Sequence, residues 1–95
     1  MTAAGVLDQC EALGAEAVIG NQIDGQVGML CAVAFGAAHR ATTRRAGELS
    51  NYLYVAADLL ADLLVIEGGT LRVREGAGLG LVIDPAKFEY FRLDR

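Results

Sequence analysis

The hydrophobic positions near the start of the chain change from a helical spacing to a continuous run. Four apolar side chains recur at helical intervals: Val6, Leu7, Cys10 and Leu13. This spacing predicts an amphipathic helix over Ala3–Leu13, ended by Gly14. Ala17–Ile19 is a short apolar run followed by the turn residues Gly20 and Asn21, a pattern typical of a strand buried on both faces.

The middle of the chain contains its longest apolar run. Met29–Ala38 carries no charged residue, and the next charge is Arg40. We therefore predict a helix that is apolar all round and must be buried on every side. A further strand is predicted within Ala46–Tyr54, and a short helix over Ala56–Leu64.

The last third of the chain follows a different pattern. Gly68-Gly69 is typical of a hairpin turn between Val65-Ile66 and the alternating segment Leu71–Arg74. A tight glycine segment follows at Gly76–Gly80. Asp84-Pro85 predicts the start of a terminal helix, because proline is favoured at the first helical position.

The order of these elements predicts an α/β fold that is missing part of its sheet. Strands that alternate with helices form parallel sheets, which are stable almost only when several strands are covered on both faces. Two such strands are too few. The hydrophobic share of 54% also exceeds the roughly 45–50% of ordinary soluble domains. We therefore expect the rest of the sheet to lie on another polypeptide segment.

Composition restricts the partners of the chain. The net charge of -4 and the pI near 4.7 argue against a nucleic-acid partner, which would require clustered Lys and Arg. The apolar runs are far shorter than the roughly 20 residues that cross a bilayer. Cys10 and Cys31 are too few for a zinc signature. These features predict a cytoplasmic protein that binds neither nucleic acid nor membrane.

Several motifs that suggest chemistry have a structural explanation. Gly76–Gly80 lacks the third glycine and the following helix of a dinucleotide-binding motif, so we interpret it as a turn. His39 ends the apolar helix and is predicted to cap it rather than to act as a base. Asp58 and Asp62, one turn apart on the predicted helix, could bind a cation, but charges on a solvated helix face are the commoner case.

Asp24 is the residue whose position favours a function. It lies in Asn21–Gly25, directly after the predicted strand and before the apolar helix. In a parallel α/β barrel this is the C-terminal mouth, where active sites are built. A lone loop aspartate is equally a turn former or a helix cap, and its position alone leaves both interpretations open.

Five segments together resemble a known family. They are, in chain order, Gly20–Gly28, Glu48-Leu49, Asp58–Leu60, Gly69–Val73 and Gly76–Asp84. In sequence and spacing they are similar to the final stretch of muconate cycloisomerases and mandelate racemase relatives in the enolase superfamily. The Gly-Leu-Gly element followed by an acidic residue is the most specific part, and the family's usual proline before it is Ala77 here.

The resemblance implies a modified TIM-type (β/α) barrel with a capping domain. Residues 1–62 would form the C-terminal part of the barrel, comprising a late helix, strand seven, helix seven and the last strand. Residues 63–95 would return to the capping domain. The chain would then be a C-terminal piece of a larger enzyme, catalytically incomplete alone.

The resemblance also implies a reaction and a site. The family abstracts the proton α to a carboxylate, with Mg²⁺ holding the enediolate and a lysine or histidine as base. Asp24 would support catalysis, and Gln22, Ile23 and Glu48 would line the pocket for a small carboxylate substrate. The metal ligands and catalytic lysines would lie on earlier strands. The chain is therefore expected to hold no metal and to need a missing N-terminal barrel and capping segment.

A hypothesis from another class stays open. The excess of apolar residues is also typical of a non-catalytic interaction module, which would self-associate or cover a partner through its apolar surface.

Overall fold

The computed structural model describes residues 1–22 and 24–94, and it begins with an amphipathic helix. Helix α1 spans Ala3–Ala12, and the Thr2 hydroxyl caps it by accepting a hydrogen bond from the Gly5 amide at 3.1 Å. Gly14 follows it with a positive φ of 66°. The predicted helix is therefore confirmed, and Leu7 is its buried side chain.

The two predicted strands are reduced to a single point of contact. Gly20 and Glu48 form a parallel bridge, with the Glu48 amide donating to the Ile19 carbonyl at 2.8 Å. The residues before Gly20 form no strand, and Val18 is 56% exposed rather than buried on both faces. The prediction of a full strand is wrong at Ala17–Ile19, because a parallel strand needs hydrogen-bonded neighbours that these residues have only at one end.

Helix α2 spans Gln26–Ala38, so it begins before the predicted start at Met29. Its buried residues fall on one face: Gln26, Met29, Leu30, Val33 and Gly36. Cys31 on another face is exposed. The prediction of burial on every side is therefore wrong, because the rest of the chain covers only one face of this helix.

The segment between α2 and the hairpin also departs from the predicted elements. Arg40–Thr43 and Asn51–Tyr54 are short 3₁₀ helices, the second lying where a strand was predicted. The predicted helix over Ala56–Leu64 is absent from this described stretch. Its backbone instead pairs with a distant segment, with Leu60 bridged to Ile83 and the Ala61 amide donating to Val82 at 2.9 Å. Long-range pairing therefore replaces the local helix.

The predicted hairpin is confirmed. Strand β1 (Ile66–Glu67) pairs antiparallel with β2 (Thr70–Leu71), with Ile66 opposite Leu71. Gly68 and Gly69 between them have φ values of 54° and 75°. A two-residue turn with positive φ at both positions matches the twist of the flanking strands, and glycine adopts it without strain.

The terminal helix is confirmed as well. Helix α3 spans Pro85–Phe91. The Asp84 carboxylate caps it by accepting from the amides of Ala86 at 2.9 Å and Lys87 at 3.2 Å. The glycine turn precedes it, closed by a hydrogen bond from the Gly80 amide to the Ala77 carbonyl at 3.0 Å. Extended residues, not a helix, follow that turn directly, as the interpretation of Gly76–Gly80 as a structural turn requires.

The hydrophobic core joins α2 to the second half of the chain. Its cluster comprises Met29, Leu30, Val33, Tyr52, Leu60 and Leu64. The accessible surface of 6922 Å² is larger than the about 5,200 Å² expected for a folded monomer of this mass. The radius of gyration of 15.1 Å likewise exceeds the about 12 Å expected for this length. The chain therefore has a real core but exposes more surface than a self-contained domain does.

Candidate functional site

The candidate site is the loop that runs from the Gly20–Glu48 bridge to helix α2. Because the bridge is parallel, residues 20 and 48 lie side by side with their chains running in the same direction. A Cβ placed on Gly20 would lie 3.9 Å from Glu48 Oε2. The loop that carries Gln22 and Asp24 therefore starts beside the Glu48 carboxylate. Gln22 and Glu48 are exposed, and Asp24 is half-buried.

Asp24 lies immediately before the N-terminus of α2. Its amide donates to the Gln22 carbonyl at 2.8 Å. Its side chain lies over Gly28, where an added Cβ would come within 3.1 Å of Asp24 Cβ and 3.2 Å of Cγ. Glycine at position 28 therefore leaves room for the carboxylate, and the positive end of the helix dipole favours a negative charge there.

The start of this loop is held by Asn51. Asn51 Nδ2 donates to the carbonyls of Asn21 at 3.0 Å and Gln22 at 2.9 Å. Because both carbonyl oxygens can only accept, the Asn51 side-chain atom that faces them must be the donor Nδ2. The side-chain atom of Asn21 that lies 3.3 Å from this Nδ2 must then be the acceptor Oδ1. Asn21 Nδ2 then faces away and is buried without a partner in the described part of the chain. A buried donor without an acceptor costs about 1–3 kcal/mol, so this chain alone does not fully satisfy the loop.

The end of the loop is held by Asp58. Its Oδ2 accepts a hydrogen bond from the Gln26 amide at 2.6 Å, and its Oδ1 accepts from the Leu59 amide at 2.7 Å. Helix α2 has Gly25 as its N-cap residue, which supplies no side-chain cap. The hypothesis that Asp58 is a solvated charge on a helix face is therefore wrong, because the carboxylate caps a different helix.

The residues predicted for the site from sequence are thus placed unequally. Asp24 is half-buried at the helix start, whereas Gln22 and Glu48 are exposed. Ile23 lies outside the described residues. Sequence reasoning missed both Asn51 and Asp58. A helix that starts after glycine needs a cap from elsewhere, and this was the one signal that pointed towards Asp58.

Other candidate residues have structural roles. His39 Nδ1 donates to the Phe35 carbonyl at 2.8 Å, and the two rings lie 4.2 Å apart, which confirms its predicted position at the end of α2. Lys87 Nζ donates to the Leu60 carbonyl at 2.7 Å. Within residues 1–22 and 24–94, no three His, Cys, Asp or Glu side chains lie close enough to hold a metal ion. A membrane-spanning helix is likewise absent from these residues.

Comparison with known proteins identifies the family. A family model described as enolase C-terminal domain-like matches residues 2–87. The chain belongs to this family. The α/β class predicted from sequence agrees with it, with helices and a small sheet in the described residues. No curated protein matches the chain.

Two solved structures are similar to nearly all of the chain. Both are crystal structures of muconate lactonizing enzyme from Mucobacterium Smegmatis, one of them complexed with muconolactone. Each is 49% identical and superimposes with a TM-score of 0.91 over 96% of this chain. The match covers 25% of one neighbour's chain and 26% of the other's. The predicted resemblance is confirmed, and the chain spans about a quarter of the length of these enzymes.

Proposed function

We propose that the chain is the C-terminal part of a muconate-lactonizing enzyme, inactive until the rest of the fold is supplied. The observation that carries this proposal is the 49% identity over 96% of the chain to only about a quarter of the neighbouring enzyme. We call the other three quarters of such an enzyme the complementary segment. It would supply the remaining barrel strands and the N-terminal part of the capping domain.

The layout proposed for the chain follows from its order of elements. Residues 1–62 belong to the barrel, as a late helix, strand seven, helix seven and the last strand, and residues 63–95 return to the capping domain. The parallel bridge between Gly20 and Glu48, with α2 between them in sequence, supports this layout. A helix that connects two neighbouring parallel strands is the repeating unit of an α/β barrel.

The surface of the chain supports the need for a complementary segment. Large apolar side chains are exposed in its first part, including Leu13 at 82% and Val18 at 56%. The surface in excess of a compact monomer amounts to roughly 1,700 Å², which is about twice what one partner contributes to a standard protein interface. Excess surface that includes exposed large apolar side chains is typical of a site that another polypeptide segment covers.

The proposed roles of the site residues rest on the family resemblance and on the parallel bridge between Gly20 and Glu48, beside which the loop starts. Asp24 orients or polarises the reacting groups, and Gln22, Ile23 and Glu48 line the pocket for a small carboxylate substrate. The reaction is abstraction of the proton α to that carboxylate. By the resemblance to the family, Mg²⁺ and the catalytic lysine would belong to the complementary segment, whose earlier strands would supply them.

A complementation experiment tests this function. The purified chain is mixed with the Mucobacterium Smegmatis enzyme shortened by the quarter that this chain matches, and lactonization of muconate is measured with Mg²⁺ and with a chelator. We expect Mg²⁺-dependent activity from the mixture and none from either part alone. Stable association of the two parts without activity would instead favour the interaction module. That second candidate is supported by the exposed apolar side chains alone.

Asp24→Asn in the assembled enzyme tests the site. We expect kcat to fall roughly 10- to 100-fold, because the substitution removes a charge at the site without changing side-chain volume. The unfolding midpoint should change far less than turnover. Asp62→Asn, at an exposed position, is the matched control and should leave kcat unchanged. Equal turnover of Asp24→Asn at saturating substrate would remove Asp24 from the site.

A further inference from the structure

The start of helix α2 is capped by a residue far away in sequence. Its own N-cap residue, Gly25, has no side chain to accept a hydrogen bond. The carboxylate of Asp58, 32 positions after Gln26, accepts from the Gln26 amide at 2.6 Å. The other oxygen of Asp58 accepts from the Leu59 amide at 2.7 Å. Both carboxylate oxygens are therefore engaged, and the Asp58 side chain has one fixed orientation.

The contact between Asp58 and the loop leaves almost no space. A Cβ placed on Gly25 would lie 3.0 Å from Asp58 Oδ2. The carboxylate therefore packs directly on the backbone of the residue that follows Asp24. Together with the hydrogen bond from the Gln26 amide, this closeness ties the position of the backbone that follows Asp24 to that of the Asp58 carboxylate.

The same stretch of chain holds the loop at its other end. Asn51 Nδ2 donates to the carbonyls of Asn21 at 3.0 Å and Gln22 at 2.9 Å. The loop that carries Asp24 is thus anchored before and after that residue by two side chains that both follow Glu48 in sequence. The segment that follows Glu48 in sequence therefore holds the loop of Asp24 at both ends.

We infer that Asp58 is a positioning residue for Asp24, acting through the Gly25 and Gln26 backbone, with Asn51 as the second anchor. This inference rests on the proposed function of Asp24. Asp58 itself touches backbone amides and is not placed in contact with substrate. Its removal should therefore alter turnover through the position of Asp24 and not through the loss of a group in the pocket.

The first test uses amide hydrogen exchange in the full chain assembled with the complementary segment. Asp58→Ala should speed exchange of the Gln26 amide by about 10-fold or more, because that amide loses its acceptor. The Ala86 amide should not change. Asp84→Ala, which removes the matching cap of α3, should have the reverse pattern. Unchanged exchange at Gln26 in Asp58→Ala would overturn the inference whatever the activity.

The second test is a double-mutant cycle on turnover. In the assembled enzyme, Asp58→Ala should lower kcat by about 10-fold with KM changed less than about twofold. Asp58→Asn should recover part of this loss, because its amide oxygen can still accept from Gln26. Asp84→Ala, which removes a carboxylate cap from α3 and not from α2, should leave kcat within about twofold.

The decisive measurement of this double-mutant cycle is the effect of Asp58→Ala on kcat in an enzyme that already carries Asp24→Asn. In an Asp24→Asn background, Asp58→Ala should change kcat by less than about twofold, because the group that it positions is absent. A full additional 10-fold loss in that background would overturn the inference and leave the role of Asp24 intact. No effect of Asp24→Asn by itself would instead overturn the proposed role of Asp24, and the inference with it.

Discussion

Helices α1 and α2 differ in what surrounds them. Helix α2 packs against side chains from the second half of the chain, among them Tyr52, Leu60 and Leu64. Helix α1 buries Leu7, whereas Leu13 just after it is 82% exposed. Residues from 26 onwards build a core cluster from their own side chains. Among the described residues 1–22, by contrast, Leu7 is the one large apolar side chain that is buried, although exposed apolar side chains such as Leu63 and Leu93 occur in the later part as well.

The difference has a topological origin. The second half returns to α2 through the Asp58 cap at its start. Leu60, which is bridged to Ile83, also packs in one core cluster with Met29 and Leu30 of α2. The first part is joined to the rest by the backbone bridge at Gly20 and by the hydrogen bonds from Asn51 to the carbonyls of Asn21 and Gln22. Surface contacts such as the 2.9 Å ion pair between Glu16 and Arg45 add to these. An exposed ion pair contributes at most about 1 kcal/mol. The first part is therefore the region whose stability should depend most on the complementary segment.

The largest effect that we expect comes from Leu60→Ala. Leu60 is 0% exposed, and truncation of a fully buried leucine costs about 2–5 kcal/mol. Val18→Ala, in the open region, should cost less than about 0.5 kcal/mol in the isolated chain. In the assembly with the complementary segment it should cost about 1–2 kcal/mol, because the valine becomes buried. Urea unfolding of both variants, alone and assembled, measures these values, and an equal cost of the two in the isolated chain would break the comparison.

A smaller effect should separate two glycines with the same backbone conformation. Gly80 in the packed region and Gly14 in the open region have φ values of 63° and 66°. A Cβ on Gly80 would lie 2.6 Å from the Glu75 carbonyl oxygen, whereas nothing lies within 4 Å of one on Gly14. Gly14→Ala should cost about 1–2 kcal/mol from φ alone, and Gly80→Ala about 2–4 kcal/mol with the clash added.

Gly78 provides the internal control for this pair. It lies in the same turn as Gly80, has a φ of 61° and leaves open space around an added Cβ. Gly78→Ala should therefore behave like Gly14→Ala. If thermal melts show Gly78→Ala and Gly80→Ala to be equally destabilised, conformation and not close approach explains the glycine at position 80.

Local signals in the sequence were sufficient for three elements. The spacing of Val6, Leu7 and Cys10 predicted α1, the Gly68-Gly69 pair predicted the hairpin, and Asp84-Pro85 predicted α3. In each case the stabilising groups lie within a few residues of one another, as in the Asp84 carboxylate on the Ala86 amide. Such elements can be predicted without knowledge of the rest of the fold.

Long-range contacts explain the failures. The segment predicted as a helix over Ala56–Leu64 pairs with residues 82–84, more than twenty positions away. Nothing in its own pattern indicates that pairing. The same holds at the candidate site: Asp24 was found from its order between a strand and a helix, but Asn51 and Asp58 act across about 30 residues. Their roles become visible only once the loop and the later segment lie together.

The smallest expected effect concerns the pH dependence of the core around α2. Burial raises the pKa of the Tyr52 hydroxyl above its ordinary value, and this hydroxyl donates to the Leu64 carbonyl at 3.2 Å. A raised pKa in the folded state means that folding favours the neutral phenol. The resulting stability is fully present below about pH 10, the pKa of the unfolded state, and is lost as the pH rises through the higher pKa of the folded state.

Tyr52→Phe should cost about 1 kcal/mol at neutral pH through the lost hydrogen bond, and it should reduce the loss of stability above about pH 10. Tyr54→Phe, at a position 85% exposed, is the control and should leave the alkaline profile as it is. Urea unfolding between pH 7 and about pH 11 measures both variants against the unmodified chain. An unchanged alkaline loss in Tyr52→Phe would show that this loss originates outside the core and would weaken the contrast between the two regions.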